Sequence, residues 1–469
     1  MKLYNSLTRD YYSVPVGEHI KMYSCGPTVY DTVHVGNLFA FIVADTMRRV
    51  LATVGSVTHV MNITDIDDKT ITRSVELYPD IAPEDALSKL TSQMSMQFMA
   101  DIEAVGIDTS SIEFIAATNY IPHMQNMIRK IVDAGIGYIA DDGIYLSLSA
   151  YTQKGFDYGH FSTIEQSGAD AHSRINSDEY DKDSAQDFAL WKAQKEGEPA
   201  WDFTINGQNI PGRPGWHIEC SAMAFEHLGE NFHIHTGGVD LQFPHHENEI
   251  AQARAAGNNN LAQCFAHNSH ILVDGQKMSK SKGNFWTLQS IIGQGFEALD
   301  FRMFTLLGHY RSQRNIDNAT LQQAKTIRKQ LQAFADKRYQ TLTDTSQTMD
   351  IDRLKVVRTN ITKELSSDMN TAGAVSYLQQ FVKESGNQFV TTHDYDAFTA
   401  FLQHIDSLLG LNLCSSQDIT DDQKNDLDKR TEALRAKNYV AADALRDSLL
   451  HEGIELLDLP NNNYLWRRA

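Results

Sequence analysis

Two cysteines, a histidine and a glutamate have the types and spacing that could form a metal centre. Cys25 follows a short apolar run, and Cys220 lies in the segment WHIECSAM. Further along, Pro244 suits the first turn of a helix, which would place His245 and Glu249 one turn apart on one helix face. Two thiolates, an imidazole and a carboxylate favour Zn²⁺ over Mg²⁺, because sulfur and nitrogen are softer ligands than oxygen.

Each of these residues also has an ordinary structural interpretation. A single cysteine is often a small buried apolar residue, and a histidine is often a hydrogen-bonded side chain of the core. One other metal chemistry is excluded by the sequence. A HExxH metalloprotease needs a second histidine after His246-Glu247, and Ile250 occupies that position.

A second group of residues could bind phosphate at the start of a helix. The segment His34-Val35-Gly36-Asn37 precedes apolar residues that recur at helical spacing as far as Leu51. Backbone N–H groups and the positive end of the helix dipole face a ligand there, and Gly36 lets it approach closely. Strand–turn–helix units of this kind are common, so this motif indicates phosphate binding only if other segments of the chain indicate the same site.

The segment GQKMSKSKG, from Gly275 to Gly283, predicts a flexible cationic loop. Such a loop can close over a triphosphate and neutralise the charge that develops when the α-phosphate is attacked. A solvated loop of lysines and serines is the alternative for a generic basic segment. The string KMSKS, which includes Lys277 and Lys280, favours the phosphate-binding interpretation when HVGN is present in the same chain.

The elements that must position these residues alternate between strand and helix. The segment VTHVMNITDID predicts a strand that ends in an acidic loop, and residues 83–105 predict a long amphipathic helix. This order predicts a parallel α/β sheet, with ligands at the carboxyl ends of its strands. GIGYIADDGIYLSL predicts a hairpin, and residues 172–186 predict an exposed loop. From about residue 298 the pattern becomes almost wholly helical.

Composition limits the class of protein. The 469 residues include four widely spaced cysteines, too few for a disulfide framework, which predicts a reducing cytoplasm. The N-terminus lacks the apolar core of a signal peptide, and no apolar run has membrane-spanning length. A net charge of −19 disfavours nucleic acid as a partner, so any such binding must use local basic clusters.

Several longer segments resemble one enzyme family. HVGN paired with KMSKS is similar to the signature pair of class I aminoacyl-tRNA synthetases. CGPTVYD, NITDIDDK, GRPGWHIECSAM and HTGGVDLQFPHHENE closely resemble segments of cysteinyl-tRNA synthetases, and the similarity runs from about residue 20 to the C-terminus. Asn37 is a departure, because the first motif of the family usually ends in histidine. An asparagine keeps an N–H donor but cannot become cationic.

The resemblance implies a Rossmann-like parallel-sheet catalytic domain over residues 1–310. Within it we expect an insertion at about 110–200 and a stem-contact region that carries KMSKS at about 260–310. A helical bundle over 311–414 and a small anticodon-binding unit over 415–469 would follow. No separate editing domain is expected, because a metal that binds the substrate sulfur already rejects serine.

The resemblance also implies ATP-dependent ligation of L-cysteine to its tRNA through a cysteinyl-adenylate, by a monomeric enzyme. One Zn²⁺ per chain would bind the substrate thiolate, and Mg²⁺ would accompany ATP. The positions that match zinc ligands are Cys25, Cys220, His245 and Glu249. The positions that match catalytic residues are His34, Asn37, Lys277 and Lys280. The positions that would contact ATP are His34, Gly36, Asn37 and Lys280. The positions near the amino acid are Trp216, His235, Thr64 and Asp240.

Three other functions share parts of these patterns. A cysteine:amine ligase would form the same adenylate but would lack most of the C-terminal extension. A nucleotidylyltransferase would not need the four metal-ligand candidates, and a zinc-organised RNA-binding module would not need ATP. The basic clusters after residue 310 and the tail Tyr464, Trp466, Arg467 and Arg468 favour tRNA, because aromatic side chains beside cations suit unpaired bases. We therefore predict a basic track that reaches residues 429–468.

Overall fold

The computed structural model describes residues 1–161, 174–175, 187–257, 260–278, 284–341, 348–459 and 463–469. The chain forms two compact units. The first contains residues 1–294, 310–316 and 367–369, and the second contains residues 295–309, 317–366 and 370–469. Among the described helices, none is long and apolar enough to cross a membrane.

The first unit begins with alternating strands and helices. In chain order these are β1 (Lys2–Asn5), β2 (Asp10–Ser13), β3 (His19–Ser24), α1 (Val35–Leu51), β4 (Ser56–Ile63), α2 (Asp68–Leu77), α3 (Pro83–Ala104), β5 (Glu113–Ala116), α4 (Ile121–Asp133), β6 (Gly137–Ala140), β7 (Gly143–Leu146) and α5 (Leu148–Gln153). The unit continues with β8 (Arg174–Ile175), β9 (Asp187–Ala193), β10 (Thr204–Ile205), β11 (Gln208–Asn209), β12 (Gly212–Pro214), α6 (Trp216–Leu228), β13 (Phe232–Gly238), α7 (Glu247–Ala255), β14 (Ala262–Asn268), β15 (Ile271–Val273), β16 (Gln276–Lys277), α8 (Leu288–Gly293) and β17 (Arg314–Ile316).

A five-stranded parallel sheet in the order β14-β13-β3-β4-β5 forms the centre of this unit. Its middle strands are buried along most of their length, as in Met22 and Tyr23 of β3 and Val60 of β4. Helices must cover both faces of such a sheet, so its strands read as continuous apolar runs. The predicted α/β class is confirmed, and α3 ends within one residue of the predicted helix.

The strands β6, β7 and β9, within the range predicted for the insertion, form a separate antiparallel sheet with β12, which follows that range, in the order β12-β9-β7-β6, and β8 pairs with β9 in parallel. The predicted hairpin is confirmed as β6 and β7. The predicted loop at 172–186 lies outside the described residues, apart from the short β8. This sheet is tied to α2, because the carboxylate of Asp68 contacts Lys192 of β9 at 2.7 Å and also the guanidinium of Arg213 in β12.

The second unit is largely helical, as the sequence predicts. Its elements are α9 (Ala298–Leu306), α10 (Asn318–Ala335), α11 (Ile351–Leu365), α12 (Thr371–Ser385), α13 (Tyr395–Leu409), α14 (Asp421–Arg435), α15 (Tyr439–His451), β18 (Ile454–Asp458) and β19 (Tyr464–Arg468). The strands β18 and β19 form an antiparallel hairpin. Gly410 ends α13 in the left-handed conformation (φ 62°), which glycine adopts without steric cost.

The interpretation of Trp466 as a base-stacking side chain is wrong. Trp466 is 4% exposed and belongs to a small apolar core with Leu427 and Leu449. Arg467 pairs with a neighbouring carboxylate, Glu455, at 2.7 Å, and Arg468 pairs with Asp336 at 3.0 Å. Tryptophan has a large apolar side chain, so the folded state is more stable when this ring is packed in a core than when it is exposed to water.

Candidate metal centre and active site

The start of α1 is closed by a reciprocal hydrogen-bonded cap. His34 is the N-cap residue, and its Nδ1 accepts the backbone N–H of Asn37 at 3.1 Å. In return, the backbone N–H of His34 donates to Oδ1 of Asn37 at 3.4 Å. Because Nδ1 accepts an N–H, a neutral His34 carries its ring proton on Nε2. Asn37 therefore has a structural role at this helix start, which the sequence pattern did not indicate.

The two candidate phosphate-binding motifs meet at Gly36. A Cβ added to Gly36 would lie 2.9 Å from the His34 ring and 2.9 Å from Cε of Met278, so a larger residue would force these side chains to shift. Met278 is the second residue of the KMSKS string. Lys280 lies outside the described residues, and of Lys277 only the backbone is described, paired with Leu272 in β15.

The four predicted zinc ligands converge from four elements. Cys25 follows β3, Cys220 lies in α6, Glu249 lies in α7, and His245 lies in the turn before α7. Their candidate ligand atoms all lie within 4.8 Å of one another. The Cys25 Sγ lies 3.8 Å from the Cys220 Sγ and 3.8 Å from Glu249 Oε1, which lies 2.9 Å from His245 Nε2.

The helix that carries this pair starts later than predicted. α7 begins at Glu247, and Pro244 lies in the irregular turn Gln242–His246 rather than in the first turn of the helix. Phe243 is extended there (φ −138°, ψ 132°), because a residue before proline is disfavoured in the helical conformation. His245 and Glu249 remain one turn apart and still contact each other.

The charges in this cluster suit a divalent cation. The thiol of Cys25 donates to Cys220 and lowers the Cys220 pKa to about 6, whereas burial and the Cys220 sulfur raise the Cys25 pKa well above its usual value. Burial opposes the charge on His245, but Glu249 and Cys220 raise its pKa to about 10. Cys25 is then a neutral thiol, and the proton on His245 offsets only part of the negative charge of Cys220 and Glu249. A dication would displace both protons, as zinc does on binding thiolate and imidazole.

Further histidines surround the four candidates. His235 Nε2 lies 2.6 Å from Glu249 Oε2, and both side chains are fully buried. His246 Nε2 lies 3.4 Å from Cys25 Sγ, and its Nδ1 lies 2.8 Å from His267 Nε2. Cys25, His235, His246 and Glu249 form a second possible ligand set. Sequence reasoning missed His246 and His267, although the doublet HHENE was an available signal for His246.

The residues predicted to contact the substrate amino acid lie in different surroundings. Trp216 begins α6, and its ring lies 4.1 Å from that of His245. Thr64 is buried directly after β4, where its hydroxyl donates to Glu219 Oε2 at 2.9 Å. Asp240 is more than half exposed, with its carboxylate 4.0 Å from His270 Nδ1, so the structure places it outside the buried cluster.

Comparisons with known proteins identify the family and the fold. The family described as "tRNA synthetases class I (C) catalytic domain" matches residues 12–326. The fold is similar to the Mycobacterium tuberculosis methionyl-tRNA synthetase bound by methionyl-adenylate, with a TM-score of 0.57, 12% identity, and coverage of 91% of this chain and 96% of that one. The fold and the family match together define a class I aminoacyl-tRNA synthetase.

The relatives narrow the family further. The chain is 36% identical to the cysteine–tRNA ligase of Brachyspira hyodysenteriae, over 99% of this chain and 98% of that protein. It is also 36% identical to the cysteine–tRNA ligase of Leptospira interrogans, over 100% and 99% of the two chains. The chain therefore belongs to the cysteine–tRNA ligase family of aminoacylating enzymes.

Proposed function

We propose that this enzyme joins L-cysteine to its tRNA in two steps, through a cysteinyl-adenylate, and that zinc selects the substrate. The convergence of Cys25, Cys220, His245 and Glu249 from four separate elements carries the proposal. These side chains would hold one zinc ion, which would bind the sulfur of the substrate. The rest of the amino acid would be bound by Trp216, Thr64, Asp240 and His235. A bound zinc ion supplies strong affinity for sulfur and weak affinity for the serine hydroxyl.

In the first step, a carboxylate oxygen of cysteine attacks the α-phosphorus of ATP, and the bond to pyrophosphate breaks. His34 donates from Nε2–H to the phosphate oxygens and exchanges no proton. Gly36 and Asn37 at the helix start and Lys280 of the KMSKS loop bind the same phosphates, with Lys277 helping the loop to close. Mg²⁺ enters with ATP as a counter-charge. In the second step, a terminal ribose hydroxyl of tRNA attacks the carbonyl carbon, and AMP leaves.

We assign tRNA contacts to the tip of the α14–α15 hairpin, within the predicted anticodon-binding unit 415–469. Tyr439 and Val440 begin α15 and are 60% and 83% exposed. Arg435 and Lys437 lie just before them and are also exposed. An exposed aromatic ring beside two cations and a helix N-terminus suits an unpaired base and its phosphate.

Replacing Tyr439 by alanine is expected to raise the KM for tRNA by about tenfold, because stacking on one base contributes that much affinity. Charging assays with varied tRNA would measure it, and tRNA-free ATP–pyrophosphate exchange should not change. Tyr395→Ala is the matched control, since Tyr395 also begins a helix of the second unit and is 39% exposed. Equal losses in the two variants would show that the hairpin tip has no special role.

The proposed function itself is tested by exchange and charging with labelled amino acids. We expect exchange that depends on cysteine and not on serine, about one zinc per chain, and transfer of cysteine to tRNA. Transfer to a small amine instead would identify a cysteine:amine ligase. Absence of cysteine-dependent exchange would leave a nucleotidylyltransferase or an RNA-binding module as the alternative.

A further inference from the structure

We infer that Asn62 and Glu219 are positioning residues that fix the Thr64 hydroxyl as a hydrogen-bond acceptor for the ammonium group of the substrate amino acid. The inference rests on the proposed function, because it assumes that an amino acid binds beside Thr64. All three side chains are buried, with exposed fractions of 2%, 0% and 1% for Asn62, Glu219 and Thr64. Each therefore needs a defined partner.

The orientation of the Asn62 amide is set by the backbone. The N–H of Gly26 donates to Asn62 Oδ1 at 2.9 Å, so this oxygen must face the loop that follows β3. The amide nitrogen then faces Thr64 and donates to its Oγ1 at 3.1 Å. Because an amide oxygen accepts and its nitrogen donates, the reverse orientation would place two donors against each other.

The direction of the next hydrogen bond follows from this. Thr64 Oγ1 donates its single proton to Glu219 Oε2 at 2.9 Å. A hydroxyl has one proton and two lone pairs, and the bond from Asn62 occupies one lone pair. The backbone of Thr64 is also paired, since its N–H donates to Pro27 O at 3.0 Å and its C=O accepts from Val29 N–H at 3.1 Å. The remaining capacity of Thr64 is one lone pair, which can accept and cannot donate.

An acceptor of this kind distinguishes the two charged groups of an amino acid. A carboxylate is an acceptor and would be repelled, whereas an ammonium group has three donors. Under the proposed function the cysteine sulfur faces the metal cluster and the carboxylate faces ATP, so the ammonium group is the part left for Thr64. Thr64 directly follows β4, at the carboxyl edge of the parallel sheet where ligands of α/β proteins bind.

The test compares cysteine with β-mercaptopropionate, which has the thiol and the carboxylate but no ammonium group. We expect Thr64→Val and Glu219→Leu each to raise the KM for cysteine in ATP–pyrophosphate exchange by roughly ten- to a hundredfold, as for loss of a hydrogen bond to a charged group. The inhibition constant of β-mercaptopropionate should stay within about twofold of its value for the unmodified enzyme, because this compound has no ammonium group to lose a hydrogen bond. The zinc content should also stay within about twofold. Glu219→Gln keeps an acceptor oxygen and should restore most of the cysteine affinity.

A double variant tests whether Glu219 acts through Thr64. In the Thr64→Val background, Glu219→Leu should not raise the KM for cysteine further. Additive effects would overturn the inference, and so would equal weakening of β-mercaptopropionate or loss of zinc. Glu219→Ala replaces the leucine variant if that variant does not fold. If the unmodified enzyme shows no cysteine-dependent exchange, the proposed function fails. If exchange is normal and Thr64→Val leaves the KM unchanged, only this inference fails.

Discussion

Replacing Cys220 by alanine is expected to remove the bound zinc and to lower kcat/KM for cysteine in ATP–pyrophosphate exchange by about a thousandfold or more. Cys220 is 1% exposed, and the hydrogen bond from the Cys25 thiol lowers the pKa of Cys220, which favours its thiolate form. Alanine removes that negative ligand. It leaves Glu249 and His245 without a sulfur donor from α6. Metal analysis of the purified variant and exchange assays with varied cysteine would measure both effects.

Cys264→Ala is the matched control for this experiment. Cys264 is also fully buried, in β14, where burial raises its pKa to about 12, and it belongs to neither candidate ligand set. Its removal should leave zinc content and exchange near the level of the unmodified enzyme, with a modest loss of thermal stability from the cavity. Normal zinc content in Cys220→Ala would contradict the assignment of the metal centre.

Replacing His34 by asparagine is expected to slow adenylate formation by about a hundred- to a thousandfold, while thermal stability stays close to normal. Asparagine is a strong N-cap residue, so it can still accept the N–H of Asn37 and close α1. It has no N–H at the position of the imidazole Nε2, and the donor proposed for the phosphate oxygens is lost. Single-turnover adenylate formation and a thermal melt would be measured on the same sample.

His34→Ala separates the two roles of this residue. Alanine removes both the donor and the cap, so this variant should be slow and should also lose about 1 kcal/mol of stability. If His34→Asn were as active as the unmodified enzyme, His34 would act only as a cap. The phosphate-binding assignment would then be wrong.

The sequence predicted the class of fold and the residues that meet in the candidate metal cluster, because both depend on residue type. Continuous apolar runs indicate buried parallel strands, and sulfur and imidazole side chains are rare enough to stand out. The roles of His246 and Asn37 depend on which atoms face each other. A histidine–asparagine pair is also not the usual capping pair, which combines serine or threonine with glutamate or glutamine. Trp466 was misassigned because the residue type alone does not indicate whether the ring is packed or exposed.

Asp68 links the small antiparallel sheet to α2 through two buried basic residues. Its carboxylate pairs with both Lys192 and Arg213, which come from two different strands and are 2% and 1% exposed. Losing the acid alone would leave basic groups in the interior without that compensation, which is costly. Arg213 lies three residues before Trp216 in the chain. Replacing one of these three residues would therefore leave the charges of the others unmatched, and Arg213 lies close in the chain to the residue proposed to contact the amino acid.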